Sequence, residues 1–585
     1  MDDTQVNEIV NSFENFSKTT QIRENIINWY DFKEGSNILE IGCDFGQVTK
    51  FFCNTNFKVD SIEIDLEKYE YSQKILDQFK NIKLYNKNLI QYCEENNGNK
   101  FDYIIVTTSM DRLNEFVLEN KKYTAFNKFM ELSSGLLNEN GVILIAIDNK
   151  FAIKNFSGST FKGENSYAIL EGKQKNTGVF SKKEIISILN SMQLKYKFYY
   201  PFPDYKLPSV IYTDEYLPNK NSNKLKYLVY YNPKDTIVFN EIDVVKEIVK
   251  DEMLDYFSNS YFIEISKSDI NFCKAKFISF NNFRKKENKL ITKIYDKYAT
   301  KQNIFEEGRK HILNIEKYID ILKVNGINII DEVKEDLVYS KHQKLNNLND
   351  ILSEYILDNN VDEALKLIDF WYDYIKSKFS NFVIANEKLN DSVFGKYNID
   401  ISKEKNDKLT FLKYGFFDFI FENIFVKMNE NKIDEMLVYD QEWCEENLPI
   451  EFILYRALNN LFYYNNKISK FLSLGELYKK YNIEEYICEF KELERKIQEN
   501  LTDNEIVNEY QNTYCALTTL EGLTETLYYS QKENKEIREQ HNNFIKHVEQ
   551  TNNNWQAAMD KANQKIKELE AKLNKNNIFK NIFKK

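Results

Sequence analysis

The residues best suited to chemistry lie between Asn37 and Asp65. Gly42 and Gly46 follow an apolar run (Ile38, Leu39, Ile41), and Val48, Phe51 and Phe52 come after them. Glycines belong where a backbone turns sharply and a ligand must come close, because any Cβ would collide. A second apolar run ends in Glu63, about 20 residues beyond Gly42, the separation at which such folds place the acid that accepts both hydroxyls of a ribose. Asp65 is the rival acid, but it falls past the expected strand. A dinucleotide fingerprint would also have glycine at positions 44 and 47, where this chain has Asp44 and Gln47. The chemistry on offer is nucleoside binding at a strand–turn–helix.

Such residues need a sheet to hold them. The pattern predicts parallel strands at Asn37–Ile41, Val59–Asp65, Asn81–Tyr85, Phe101–Thr107 and within Gly135–Ile147, alternating with helical segments. Ligands of such sheets bind at the carboxyl ends of the strands. Residues 5–32 read as amphipathic helix covering the sheet. Five of the six prolines (201, 203, 208, 218, 233) crowd one window, and proline disfavours helix interiors and central strands. That window marks a boundary near 232.

The form Glu40-x-Gly42-x-x-x-Gly46, with Glu63, Asn88 and the strand order, resembles the class I S-adenosyl-L-methionine (SAM) methyltransferases. The resemblance implies a Rossmann-like α/β domain over 1–232. It also implies a SAM site drawn from Glu40, Gly42, Cys43, Asp44, Gly46, Glu63, Ile64, Asn88, Leu89 and Thr107. Segments 148–158 and 201–208 are similar to those of methyltransferases linked to bacterial surface-polysaccharide synthesis, which places Asn149, Lys150 and Lys154 at the acceptor site. All four histidines (311, 342, 541, 547) lie outside this domain. A neutral hydroxyl acceptor calls for a general base, most often histidine, whereas an anionic one needs only positioning; the composition tilts toward an anionic acceptor.

Residues 233–480 read as an α+β domain whose strands (Tyr261–Ile265, Ala275–Phe280, Lys289–Tyr295) form a small antiparallel sheet before helices take over. Asp418 and Asn423 have the Asp-x4-Asn spacing of a kinase catalytic loop, and Asp440 follows a short apolar strand. This resembles the protein-kinase and aminoglycoside-phosphotransferase fold. The resemblance implies a base (Asp418), two Mg²⁺ ligands (Asn423, Asp440) and ATP. Lys293 is the expected phosphate lysine, with Glu306 or Glu307 as its partner and Lys301 as competitor. Gln441 and Glu442 stand where such proteins have Phe-Gly, and no glycine-rich loop is present, so a degenerate binding domain is the alternative.

Apolar or small residues step by three and four from Ile537 to Leu573, the heptad pattern of a coiled coil. The expected span is 500–575, and it predicts a homo-oligomer. Residues 576–585 put Ile578, Phe579, Ile582 and Phe583 on one face beside Lys580, Lys584 and Lys585, a basic amphipathic tail suited to peripheral membrane contact.

The chain has 585 residues, 42% apolar and 15% aromatic, enough for several cores. Its net charge of −11 argues against nucleic acid as partner. Seven scattered cysteines without a CxxC pair read as reduced thiols, and the acidic N-terminus carries no signal peptide, so a cytoplasmic location is expected. The layout resembles the dual kinase–methyltransferase chain terminators of O-polysaccharide synthesis. It implies methylation of a cell-surface glycan or its phosphorylated terminus, with glycosyltransferases as partners. The alternatives are a scaffold recruiting glycosyltransferases and a small-molecule methyltransferase.

Overall fold

The computed structural model describes residue 16 and residues 20–582, apart from 54, 97, 109, 111–112, 158–165, 174–177, 219–238, 240, 269–271, 385–391, 431, 465 and 513–519. The chain divides into two compact units, Met1–Ala516 and Leu517–Lys585.

Thirteen strands of the first unit form one continuous sheet. They are β1 (Asn37–Ile41), β2 (Lys58–Ile62), β3 (Ile82–Tyr85), β4 (Phe101–Val106), β5 (Leu137–Asp148), β6 (Lys195–Phe202), β7 (Val210–Thr213), β8 (Ser260–Ser266), β9 (Phe277–Phe280), β10 (Leu290–Ile294), β11 (Tyr298–Asn303), β12 (Asp331–Lys334) and β13 (Leu337–Lys341). Their order is β3-β2-β1-β4-β5-β8-β6-β7-β9-β10-β11-β13-β12. Strands β1 to β5 pair in parallel. β8 runs antiparallel to both β5 and β6, so the Rossmann-like half departs from the all-parallel 3-2-1-4-5-6 order of dinucleotide domains.

The apolar runs explain why this half closes. In β4 and β5, Ile104, Val106, Ile143 and Ile145 pack into one core, with Phe126 and Phe129 of the helix Lys122–Leu136. The alternate residues Ile105, Leu144 and Ala146 pack into a second core on the other face, with Trp29 and Phe52. Both faces are therefore covered, as a continuous apolar strand requires. Each valine, leucine, isoleucine or phenylalanine among them contributes roughly 1.5–3 kcal/mol on burial.

Three expectations are corrected here. First, the expected boundary near 232 lies outside the described residues, and the chain beyond it supplies β8 to the middle of the sheet. Tyr261–Ile265 therefore belongs beside β5 rather than in a small separate sheet. The alternative pairing was not readable because β8's neighbours, β5 and β6, both lie far earlier in sequence. Second, the segment after the glycine turn is a single 3₁₀ turn, Thr49–Phe52, not a helix. Third, residues 500–512 pack into the first unit instead of opening a coiled coil. Lys285 N–H donates to the Leu501 carbonyl, Asp503 N–H donates to the Phe283 carbonyl, and the Tyr510 ring meets Phe16 and Phe283.

Strands β9 to β13 continue the sheet antiparallel. The helix Arg309–Val324 packs on them, and helices Val361–Lys378 and Ile450–Tyr464 with the hairpin Ile424–Asn429/Lys432–Val438 build a third core.

The second unit is one helix, Leu520–Ile582. Phe544, Trp555 and Leu573, placed on the expected coiled-coil seam, are exposed by 64%, 70% and 62%. The side chains of the expected amphipathic tail, and residues 583–585 altogether, fall outside the described set. No described helix is long and apolar enough to cross a membrane.

Candidate active site

Where β1 ends, Gly42 adopts φ +78° and its N–H donates to the Ile62 carbonyl. A Cβ on Gly42 would meet Thr108 Cγ2 at 2.3 Å, so the turn packs directly on the segment two residues past β4. Asp44 follows in the left-handed region at φ +49°. Its N–H donates to Glu63 Oε2 at 3.0 Å, and the Asp65 N–H donates to Glu63 Oε1 at 2.8 Å. The Glu63 carboxylate thus sits against the glycine bend, one residue past β2. Asp65 instead caps the helix Leu66–Leu76.

Glu40 is buried beneath the turn. Its Oε2 accepts from Thr49 Oγ1 and Ser61 Oγ, both at 2.7 Å, while Oε1 is buried without a hydrogen-bond partner. Burial pushes its carboxyl up to about 7, against the two hydroxyl bonds that lower it. Burial likewise raises the Cys43 thiol, whose Sγ lies 3.7 Å from Ser72 Oγ. Asn88 caps the helix Leu89–Glu95, its Oδ1 accepting from Gln91 N–H. Leu89 and Thr107 are buried, and Ile64 is half-buried.

Several residues that sequence reasoning missed complete this end of the sheet. The Asp44 carboxylate pairs with Lys68 Nζ at 2.6 Å and Arg23 at 3.4 Å, and accepts from Thr108 Oγ1 at 3.1 Å. Burial would raise it, but Lys68 and Arg23 hold it below the usual carboxylate range. At the end of β5, Lys154 Nζ lies 2.6 Å from Asp148 and 3.7 Å from Asp204. Lys206 is buried, and burial lowers its ammonium against the opposing pull of Asp148. Asp204 had no local signal, since Lys154 lies far from it in sequence, whereas Asp148 meets Lys154 only six residues on.

Asn149 is corrected as an acceptor-site residue. It is fully buried, its amide donating to the carbonyls of Tyr256 and Ser258 and its Oδ1 accepting from Phe151 N–H. That is a structural anchor for the segment before β8. Lys150 stays half-buried with Nζ 5.3 Å from the Phe151 ring.

A second cleft, of about 620 Å³, opens between β10, β11 and the segment around Asp440. Lys301 Nζ bonds to Asp440 Oδ1 and to Glu442 Oε1. Lys293, the expected lysine, pairs with Asp31 at 2.7 Å instead. The reason is parity. Lys301 stands opposite Thr292 in the β10–β11 pair, and alternate residues of a strand face opposite sides. Glu306 and Glu307 are exposed in a 3₁₀ turn, and Lys301 pairs with Asp440 and Glu442 instead. Asn423 Nδ2 donates to the Asp418 carbonyl at 2.9 Å and to the Asp440 carbonyl at 3.5 Å, linking the three. The Asp418 carboxylate is clamped by Arg456 at 2.9 Å; burial raises its carboxyl despite that charge. Among the described residues no group of three His, Cys, Asp or Glu side chains could hold a metal ion.

No protein-family model matches the chain, and no curated protein matches it. Similar solved structures include a TehB-like SAM-dependent methyltransferase from Corynebacterium glutamicum, at 10% identity over 46% of this chain and all of that one, with a TM-score of 0.24. The plantazolicin methyltransferase BamL, solved with SAH, is 10% identical over 46% of this chain and 88% of that one, TM-score 0.25. A SAM-dependent methyltransferase from Archaeoglobus fulgidus is 11% identical over 43% of this chain and 97% of that one, TM-score 0.26.

Proposed function

We propose that the Rossmann-like half binds S-adenosyl-L-methionine and transfers its methyl group. The observation that carries this is the Glu63 carboxylate held against the glycine bend. The Asp44 and Asp65 N–H groups fix that carboxylate in place, and a carboxylate at this strand end is the acceptor that a ribose diol requires. The rest of the ligand follows from charge. A dinucleotide would rest its pyrophosphate on a helix N-terminus, but only a four-residue 3₁₀ turn follows the glycines. The unpartnered Glu40 Oε1 instead suits a cationic group, such as the ammonium of an amino-acid tail. A nucleoside with a cationic tail fits both ends.

Bound SAM supplies an electrophilic methyl on a sulfonium. The chain's own part is to grip the ribose with Glu63, to brace the turn through Asp44, Arg23 and Lys68, and to hold the acceptor near the ends of β4 and β5. No histidine occurs before residue 311, so we favour an acceptor that is already anionic, with Lys154 and Lys206 nearby as cations. A cell-surface glycan or its phosphorylated terminus is the acceptor class we propose from the sequence resemblance. Homo-oligomerisation through the helix Leu520–Ile582 belongs to the same proposal.

The test is titration calorimetry of the full chain with SAM and S-adenosylhomocysteine, beside Gly46→Arg. Gly46 has φ +75° and a Cβ there would lie 3.3 Å from Leu76, so the variant should bind neither. A wild type that binds neither ligand overturns the methyltransferase reading and leaves the scaffold. Labelled SAM with phosphorylated and dephosphorylated surface glycan then tests the acceptor.

The second cleft supports a second reading, a nucleoside polyphosphate site. What favours it is that Lys301, Asp440 and Glu442 line one cavity, with the Asn423 amide bonded to the carbonyls of Asp418 and Asp440 beside it. Lys301 would meet phosphate oxygens, and Asn423 and Asp440 would hold Mg²⁺, which would neutralise phosphate charge there. Lys301→Met should abolish ATP binding, and Lys293→Met should not.

A further inference from the structure

The lysine of the second cleft has an unexpected anchor. Glu442 lies two residues past Asp440, and its side chain is 4% exposed. One carboxylate oxygen accepts from Lys301 at 2.5 Å, and the other accepts from Arg284. The Arg284 guanidinium sits 5.1 Å from the centre of the Trp443 ring, and Trp443 stacks on buried His311 at 4.5 Å. Glu442 is therefore gripped by β11, by the loop after β9, and by the packing of its own neighbour on the helix Arg309–Val324. That helix packs beside β11 and would be the ordinary source of a carboxylate for such a lysine. Its acids Glu316 and Asp320 are instead exposed, and its first turn offers Arg309, Lys310 and His311.

We propose that Glu442 is the positioning residue for Lys301, so that the phosphate-binding lysine is held by the same short segment that carries Asp440. The inference rests on the polyphosphate reading of this cleft. In kinases the lysine's partner rides on a mobile helix, and moving that helix makes or breaks the pair. Here the partner is locked in a strand-end segment between two cations. An incoming phosphate can displace Asp440 from Lys301 while Glu442 keeps the ammonium in place. The lysine is thus aimed without any shift of the helix. The replacement of Phe-Gly by Gln441-Glu442, which reads as degeneration in the sequence, becomes a relocated ion pair.

The experiment uses the full chain with MgATP as probe. Affinity is read by calorimetry, and Lys301 accessibility by acetic-anhydride labelling with mass spectrometry. Glu442→Gln should weaken MgATP at least tenfold and raise Lys301 labelling without ligand. Glu442→Asp should recover part of both, and Glu316→Gln should change neither. Unchanged SAM binding and circular dichroism certify the fold of each variant. Should Glu442→Gln not fold, Glu442→Asp carries the test alone, with intermediate affinity and labelling expected. Wild-type affinity with wild-type Lys301 labelling in the Glu442 variants overturns the inference while the polyphosphate reading stands. Absence of MgATP binding by the wild type overturns the reading and the inference together.

Discussion

Replacing Glu63 with alanine should remove the nucleoside grip in a way that a ligand series can isolate. In the structure its carboxylate accepts the Asp44 N–H at 3.0 Å and the Asp65 N–H at 2.8 Å, and the proposed ligand would add two ribose hydroxyls to it. Hydrogen bonds to a charged group contribute about 1.5–3 kcal/mol each. Losing two should therefore weaken SAM or S-adenosylhomocysteine by roughly 3–6 kcal/mol, about 10²–10⁴-fold in Kd. The same substitution strips two backbone N–H groups of their acceptor, which loosens the bend for any ligand. The two effects separate with a 2′,3′-dideoxy analogue of S-adenosylhomocysteine. Wild type should discriminate against the analogue by the full factor, and Glu63→Ala should bind both with similar, weak affinity. Calorimetry of the four combinations measures the coupling directly. If Glu63→Ala weakens the parent and the dideoxy ligand by the same factor, Glu63 shapes the loop and does not touch the ribose. The assignment of the pocket would then have lost its main support.

Three further outcomes are expected. Gly42→Ala combines a left-handed φ with a clash on Thr108, so it should destabilise by about 2–6 kcal/mol. Gly35→Ala, at φ +72° with nothing within 4 Å, should cost only about 1–2 kcal/mol; equal shifts in thermal midpoint would refute the packing argument. Glu40 is raised from 4.5 to about 7 by burial. The folded chain therefore holds a proton that the unfolded chain releases, and this stabilisation is present below about pH 4.5 and lost as pH rises to 7. Glu40→Gln should gain stability over wild type across that window, by up to roughly 3 kcal/mol, read from midpoints at pH 5 and pH 8; a pH-independent difference would sink it. Finally, Phe544→Glu with Trp555→Glu should convert an oligomer to a monomer by light scattering while leaving SAM affinity intact. A wild-type chain that is already monomeric would refute the seam.

What the amino-acid sequence disclosed, and what it hid, divides along the range of the interactions involved. The glycine bend and Glu63 were legible because both belong to one strand–turn–strand unit, where apolar runs and turn residues act on near neighbours. Parity was the first thing lost. Lys293 and Lys301 lie in adjacent strands, and only the pairing of Lys301 with Thr292 decides which of them faces Asp440. Distance was the second. Asp204 joins the local Asp148–Lys154 pair only after β5 and the segment following β6 are laid side by side, and Asn149 reveals its structural duty through carbonyls at 256 and 258. The antiparallel β8 was hidden for the same reason, since Tyr261–Ile265 is as apolar as any edge strand and finds its place only between β5 and β6. Tyr510 likewise carries no mark distinguishing a core aromatic from a seam residue until Phe16 and Phe283 close on it. Glu442 shows the converse: judged by motif it was a loss, whereas judged by its contacts it is an acid held by both Lys301 and Arg284. A motif records which residue usually does a job, while charge and burial show which residue can do it here.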